Sequence, residues 1–377
     1  MISMEIFLPS HIIFGSYSYK KIALVLKKYG DRPLLVVGKS AFNRSFWGKD
    51  IITILKKSKI KYTLYSGVDS EPCFDSIKEG LRYLNRHNCD SVVGIGGGSV
   101  LDVSKTIAVL VGQKFKDLEE YLYGKNIKNS GLPFIAVPTT SGSGSEVSSS
   151  AVLKDSLRGE KRGVRDQKLI ADVAIIDPVV TLTLGRDATL YSSLDALTHA
   201  VEAYVSIDAD IASSVLAKEA SRIIYKNLSR ALVEPRNIIF RQRLSRASLF
   251  AALAFSSSGL GLAHALSHPI GAAYNLSHGL VNAVVIPYVV EFNYSVAKDR
   301  YQDLIFDKRY KSLYNLLKSW LRELGLPLSF KELGLEIDSK LKDKIVSATL
   351  SSGVLKYNPK RVKRKDVNYI LERLWMR

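Results

Sequence analysis

Up to Asp177-Pro178 the chain alternates short runs rich in Val, Ile and Leu with longer segments of helical period, and beyond that point almost everything reads as helix. Candidate strands cover 34–37, 62–65, 91–95, 134–137 and 173–176. Between them lie segments such as FDSIKEGLRYLNRHN (74–88), where Ile77, Leu81 and Leu84 recur at helical spacing over a charged face. Strand, helix, strand repetition predicts a mostly parallel sheet covered by helices on both sides. The second half predicts helices over 211–232, 237–258, 309–325 and 365–375. The simplest division is an α/β domain over 1–178 and an all-α domain over 179–377, each long enough to bury its own core.

Composition narrows the partners. With 54 Lys and Arg against 36 Asp and Glu, the chain carries a formal charge of +18, which invites a nucleic-acid or anionic-membrane reading. The basic residues are scattered, however, and only KYNPKRVKRK (356–365) approaches a cluster. Neither a nucleic acid nor a membrane is therefore expected as a partner. Cys73 and Cys89 offer no spacing for a zinc knuckle or a disulfide framework, so any metal must use nitrogen and oxygen ligands. The start, MISMEIFLPSHIIFG, lacks a basic region followed by a long apolar run, and the expected location is the cytoplasm.

The segment Ser91 to Lys105, SVVGIGGGSVLDVSK, reads as a buried strand, a glycine turn and a helix start. Glycines 96 to 98 would let backbone N–H groups approach a diphosphate, with the positive end of a helix behind them. Ser99 and Asp102 form an S-x-x-D capping pattern. The spacing misses the last glycine of G-x-G-x-x-G and follows roughly the third strand instead of the first, so the nucleotide fold must be a Rossmann-like variant. A second turn, PTTSGSGSEV (138–147), follows the next strand. Its small hydroxyl residues suit phosphate or ribose, or equally a flexible Ser/Gly loop.

Asp195 and His199 in SLDALTHAVEAYVS are four residues apart, so a helix projects both from one face. Asp195 is the only carboxylate from Ala188 to Val201. In such apolar company it needs a strong partner, either a cation or a hydrogen-bonded core histidine. What favours the cation is the run 247–290, which holds no formal charge yet contains His264, His268 and His278. A membrane hairpin is the rival reading of that run; its Ser and Gly content, the His268-Pro269 break and the cost of histidines in lipid favour buried helices carrying a polar site. His264 and His268 share a helical face, and a turn over Pro269 to Tyr274 would bring His278 back. Three imidazoles and one carboxylate suit Fe(II), Zn(II) or a similar divalent ion. His11 and His87 lie in polar, surface-like contexts and are read as structural.

Taken together, GGGSVLDVSK, PTTSGSGSEVSSSAV, DALTHAVEAYVS and GLAHALSHPIGAAYNLSHG, in this order, make the chain resemble the iron-containing (group III) alcohol dehydrogenases over nearly its full length. The resemblance implies a dehydroquinate synthase-like architecture, with a nucleotide-binding domain, a helical domain and a cleft holding the metal. It implies Asp195, His199, His264 and His278 as metal ligands, with iron(II) the expected ion and zinc(II) the alternative. It places His268 beside the nicotinamide and substrate. Gly97, Gly98, Ser99 and Asp102 match the dinucleotide phosphate turn, Thr139, Thr140, Ser143 and Ser148 the second cofactor loop, and Lys161 a cofactor-contacting lysine. A homodimer is the family expectation.

Members that prefer NAD usually carry an aspartate after the first nucleotide strand; here Gly38 stands there, followed by Lys39 and Ser40. An acid would repel a 2′-phosphate and its absence beside a lysine permits one, so NADP(H) is expected over NAD(H). Ser193 replaces a common glycine before the ligand helix and SHG (277–279) replaces PHG, which leaves the ligand set intact and alters the pocket walls. The expected activity is metal-dependent hydride transfer between the cofactor and a small primary or secondary alcohol, aldehyde or ketone, with His268 a candidate for the proton relay. The alternatives are a polyol or glycerol-type dehydrogenase, a maleylacetate reductase-like enzyme or dehydroquinate synthase. Four intact ligands argue against the reductase and motif spacing against the synthase. A basic scaffold or nucleic-acid-binding protein is the remote alternative, and no recognition module supports it.

Overall fold

The computed structural model describes residues 8–9, 11–39, 41–69, 72–111, 120–121, 123–128, 130–155 and 160–376, the side chains of 155 and 160–162 excepted. Its elements separate into two compact units, one comprising Ile6–Gly185 with Arg236–Ser245, the other Arg186–Pro235 with Arg246–Arg377. The first unit runs past Pro178 because Val179 and Val180, in the 3-10 turn Pro178–Thr183, are buried in its core.

Among the described residues, eight strands lie in the first unit: β1 (His11–Phe14), β2 (Pro33–Gly38), β3 (Thr63–Val68), β4 (Ser91–Gly96), β5 (Phe134–Pro138), β6 (Ser150–Asp155), β7 (Glu160–Arg165) and β8 (Val173–Ile176). Six form a parallel sheet in the order β1-β8-β5-β4-β2-β3, while β6 and β7 pair antiparallel as a separate hairpin. The helices are α1 (Ile22–Tyr29), α2 (Ala41–Arg44), α3 (Phe46–Lys57), α4 (Phe74–Arg86) and α5 (Gly98–Leu110). Successive residues of a strand point to opposite faces, and both faces here are apolar. Leu34 and Val36 join Ile77, Leu81 and Leu84 of α4 and Leu101 and Ile107 of α5, whereas Leu35 and Val37 join Ile22 and Leu26 of α1 and Trp47, Ile51 and Leu55 of α3. That double burial is why β2 reads as an unbroken apolar run.

The five strands expected from the sequence are present, and two features are added. HIIF forms β1, a short edge strand registered parallel to β8, and the β6–β7 hairpin crosses a segment whose charge hides its strand character.

The second unit contains α6 (Arg186–Val205), α7 (Ile211–Val233), α9 (Leu262–Tyr274), α10 (His278–Gln302), α11 (Leu313–Glu323), α12 (Ser339–Leu350) and α13 (Arg364–Trp375), with α8 (Ile238–Ser258) divided between the two units after Ser245. The Asp210 side chain and Ser213 form a reciprocal capping box that starts α7. The reversal expected over Pro269 to Tyr274 falls elsewhere. Helix α9 continues through Pro269 to Tyr274, and the chain turns at Asn275, in the left-handed region at φ 51°. Asparagine tolerates that conformation better than most residues, and its N–H closes the helix on the Gly271 carbonyl. Helix α10 is long and apolar enough to cross a membrane, but 67% of its most apolar stretch is buried within the protein.

Helix α10 starts against the backbone of α6. A Cβ at Gly279 would stand 1.9 Å from the Tyr191 carbonyl oxygen, so only glycine admits the approach that sets the neighbouring His278 in place. Gly279→Ala is expected to destabilise the fold by roughly 1–3 kcal/mol, as overpacking against fixed atoms does, and to weaken metal uptake; chemical denaturation and metal titration check both, and unchanged values would contradict the packing argument.

Candidate metal centre and cofactor turn

Helix α6 is buried along most of its length, and 3.6-residue periodicity places Asp195, His199 and Glu202 on one face. His264 comes from the first turn of α9 and His278 from the first turn of α10. The result is a convergence on one atom. Asp195 Oδ1 lies 3.8 Å from His199 Nε2, 3.8 Å from His264 Nε2 and 3.6 Å from His278 Nε2. The ligand atoms of Asp195, His199 and His264 all fall within 4.8 Å of one another.

These separations fit a shared ion better than direct hydrogen bonds. They are too long for N–H···O contacts, whereas four ligands at roughly 2.0–2.2 Å around a tetrahedral centre stand about 3.4 Å apart. The donor set, three neutral imidazoles and a carboxylate without sulfur, is one that Fe(II) or Zn(II) accepts. The residues present therefore fit the ion that the resemblance implies.

The protein groups at the centre already interact strongly with one another. Burial raises the Asp195 pKa, but His199, His278 and His264 outweigh it and hold the carboxyl well below its usual range. Burial brings His199 down to about 4 despite Asp195. At His264 burial also lowers the value, but the nearby Asp195 carboxylate and the Glu202 carboxylate bonded to Nδ1 at 2.6 Å overcome it and lift the pKa to about 9.

Two polar neighbours went unrecognised in the sequence. Glu202 is buried and accepts hydrogen bonds from His264 Nδ1 at 2.6 Å, Gly261 N at 3.0 Å and Ala263 N at 2.5 Å. Asn282, one turn after His278, places Nδ2 2.8 Å from Asp195 Oδ1, 3.3 Å from His264 Nε2 and 3.2 Å from His278 Nε2. The i, i+4 and i, i+7 spacings from Asp195 and His278 were the available signal. His268 is partly exposed, and its ring stacks on that of His278 with centroids 5.1 Å apart, while the His264 ring is 6.3 Å away. It sits beside the Asp195 cluster.

In the other unit the two expected cofactor turns meet. Gly97 is the N-cap of α5. A Cβ on Gly98 would come within 2.8 Å of Ser143, and one on Gly97 within 3.4 Å of Thr140. The Thr139 N–H donates to the Gly96 carbonyl at 2.9 Å. Ser99 occupies the first turn of α5. The Asp102 carboxylate accepts from Ser145 Oγ at 2.5 Å and Val152 N at 2.9 Å, so one oxygen fastens the second loop to α5 and the other fastens β6. Lys105, fully buried, does the same by donating to the Ser148 and Ser150 carbonyls at 2.9 Å each and to Ser148 Oγ at 3.3 Å. Lys105 was also missed from sequence, and Ser148 is turned toward it. At the end of β2, Gly38 lies near Val100 of α5, and Lys39 pairs with Asp69 at 2.6 Å. Ser40 lies outside the described residues. Lys161 stands opposite Lys154 in the β6–β7 ladder, its side chain outside the described ones.

Comparison with known proteins agrees with this geometry. The sequence profile of the iron-containing alcohol dehydrogenases matches residues 9–178, and that of the C-terminal region of the Fe-containing alcohol dehydrogenase family matches residues 189–375. The chain belongs to the iron-containing alcohol dehydrogenase family. It is 28% identical to the NAD-dependent methanol dehydrogenase of Bacillus methanolicus, over 88% of this chain and 89% of that one. It is 27% identical to the NADPH-dependent butanol dehydrogenase of Clostridium saccharobutylicum, over 98% and 97%. Among solved structures, the alcohol dehydrogenase from Oenococcus oeni superposes with a TM-score of 0.93 at 26% identity, over 99% of this chain and 100% of that one.

Two outcomes follow from the centre. A divalent ion must displace the Nε2 proton of the His264 imidazolium, so uptake near neutral pH is expected to release a proton and to weaken as pH falls below about 9. Calorimetric titration in buffers of different ionisation enthalpy measures this, and pH-independent affinity would contradict it. Asp195→Ala should lose the ion, whereas His268→Ala should retain it; metal analysis of the purified variants separates the two roles.

Proposed function

We propose that the protein is a metal-dependent oxidoreductase that moves a hydride between NADP(H) and a small primary or secondary alcohol and its aldehyde or ketone. The observation that carries the reading is the grouping of three imidazole nitrogens 3.6–3.8 Å from one buried carboxylate oxygen.

Asp195, His199, His264 and His278 would hold the ion. When bound, that ion supplies Lewis acidity toward the substrate oxygen, and the nicotinamide supplies or receives the hydride. The chain's own contribution is positioning. Gly97 and Gly98 leave the N-terminus of α5 open to a diphosphate, with Thr139, Thr140 and Ser143 alongside, and Asp102, Lys105 and Ser148 hold the two turns together. Buried helices around Asp195 limit water at the centre, which strengthens the charge interactions there. His268, stacked on His278 and partly exposed, is the group suited to pass the alcohol proton to solvent.

Gly38 followed by Lys39 supports NADP(H). The relatives' names point both ways, one to NAD and one to NADPH. Lys39 is engaged by Asp69, an exposed pair of the kind worth about 0–1 kcal/mol, so a 2′-phosphate can displace that carboxylate.

Protein stripped with a chelator and reloaded with Fe(II) or Zn(II) should oxidise NADPH with small aldehydes only after reloading; full activity without metal would overturn the reading. Asp69→Asn, which frees Lys39, should lower KM for NADPH a few-fold without improving NADH, and Lys39→Ala should raise it. A higher kcat/KM with NADH than with NADPH in the unaltered protein would contradict the cofactor assignment.

A further inference from the structure

We propose that Glu202 and Asn282 are positioning residues that hold His264 in its metal-binding tautomer, Glu202 by fixing the proton on Nδ1 and Asn282 by bracing the Nε2 side. The inference deepens the metal reading above and rests on it.

A neutral imidazole has one N–H and one lone pair, and whichever nitrogen donates leaves the other free to ligate. His264 Nδ1 faces Glu202 at 2.6 Å. An ionised carboxylate only accepts, so the Nδ1 proton is retained and the Nε2 lone pair is aimed toward Asp195, 3.8 Å away. Such a carboxylate–histidine pairing also raises ligand basicity. Glu202 is held in turn, because its oxygens accept from Gly261 N and Ala263 N at the start of α9. One side chain from α6 therefore caps α9 and orients the ligand that α9 carries.

Asn282 acts from the opposite side. Its amide orientation is set by Asp195: the reverse would oppose two acceptor oxygens at 2.8 Å. The NH2 group, a donor only, then faces Nε2 of both His264 and His278 at 3.3 and 3.2 Å. With one of its two hydrogens on Asp195, the other can serve Nε2 of only one imidazole at a time, and a donor-only group at this distance disfavours a proton on Nε2 of either ring. Asn282 Oδ1 is buried with no hydrogen-bond partner among the described groups, so the amide is placed for what its nitrogen does.

A purely structural Glu202, acting as the α9 cap, would affect stability and leave ligand chemistry alone. The test is competition for Zn(II) between the full-length protein and a chromophoric chelator, in a cycle of Glu202→Gln, His264→Ala and the double variant, with thermal unfolding of the metal-free proteins alongside. Glu202→Gln should weaken Zn(II) binding about 10–100-fold, the range that loss of such a partner produces, and should cost nothing further once His264 is alanine. Asn282→Ala should weaken binding as well. Gln keeps a carbonyl oxygen for the α9 N-terminus, so it carries the test even where Glu202→Ala fails to fold. Unchanged Zn(II) affinity in Glu202→Gln overturns the proposal, as does an equal loss with and without His264. No Zn(II) uptake by the unaltered protein overturns the metal reading as well.

Discussion

A carboxylate largely withdrawn from water organises the helical unit. Asp195 is buried in α6, and an unpaired charge in such a setting costs several kcal/mol. Its neighbours are the nitrogens of three histidines that are themselves buried or partly so. None of the three approaches closely enough to satisfy it alone. Hydrogen bonding from Asn282 offsets part of the penalty, and a divalent cation would satisfy all four groups together.

The rest of the unit exists to make that convergence possible. Helix α6 contributes Asp195, His199 and Glu202 from one face, and the left-handed turn at Asn275 sends α10 back so that His278 returns to the residues of α9. Gly279 then admits the backbone of α6 at van der Waals range. In the other unit a sheet buried on both faces delivers the glycine turn at the end of β4, where α5 begins. Asp102 and Lys105, one turn apart on α5, fasten the second loop beside it. Each unit thus uses one helix both to present a site and to hold the neighbouring segment that completes it.

Much of this was legible in the sequence because it is written in periodicity. Doubly buried strands produce continuous apolar runs, and helix α6 shows Asp195 and His199 four apart. Features that depend on tertiary partners were not. HIIF is too short to separate from a loop until β8 lies beside it, and the β6–β7 hairpin is masked by its charges. Pro269 suggested a break, yet the helix absorbs it and the turn is set by Asn275, a residue with no distinctive sequence signal. Glu202 lay just beyond the stretch in which Asp195 is the only acid, and its role becomes visible only when the start of α9 is placed against it. Asp102 reads from sequence as a helix cap or phosphate contact, but its oxygens are committed to Ser145 and Val152.

On the reading proposed above, Asp195, His199, His264 and His278 hold one divalent ion together. X-ray absorption spectroscopy of the protein loaded with a single equivalent of Zn(II) addresses it directly. The expected spectrum shows a first coordination sphere of nitrogen and oxygen at about 2.0–2.1 Å, outer-ring scattering from three imidazoles, and loss of that signature in Asp195→Ala. A spectrum with fewer than two imidazoles, or one that Asp195→Ala leaves unchanged, would contradict it.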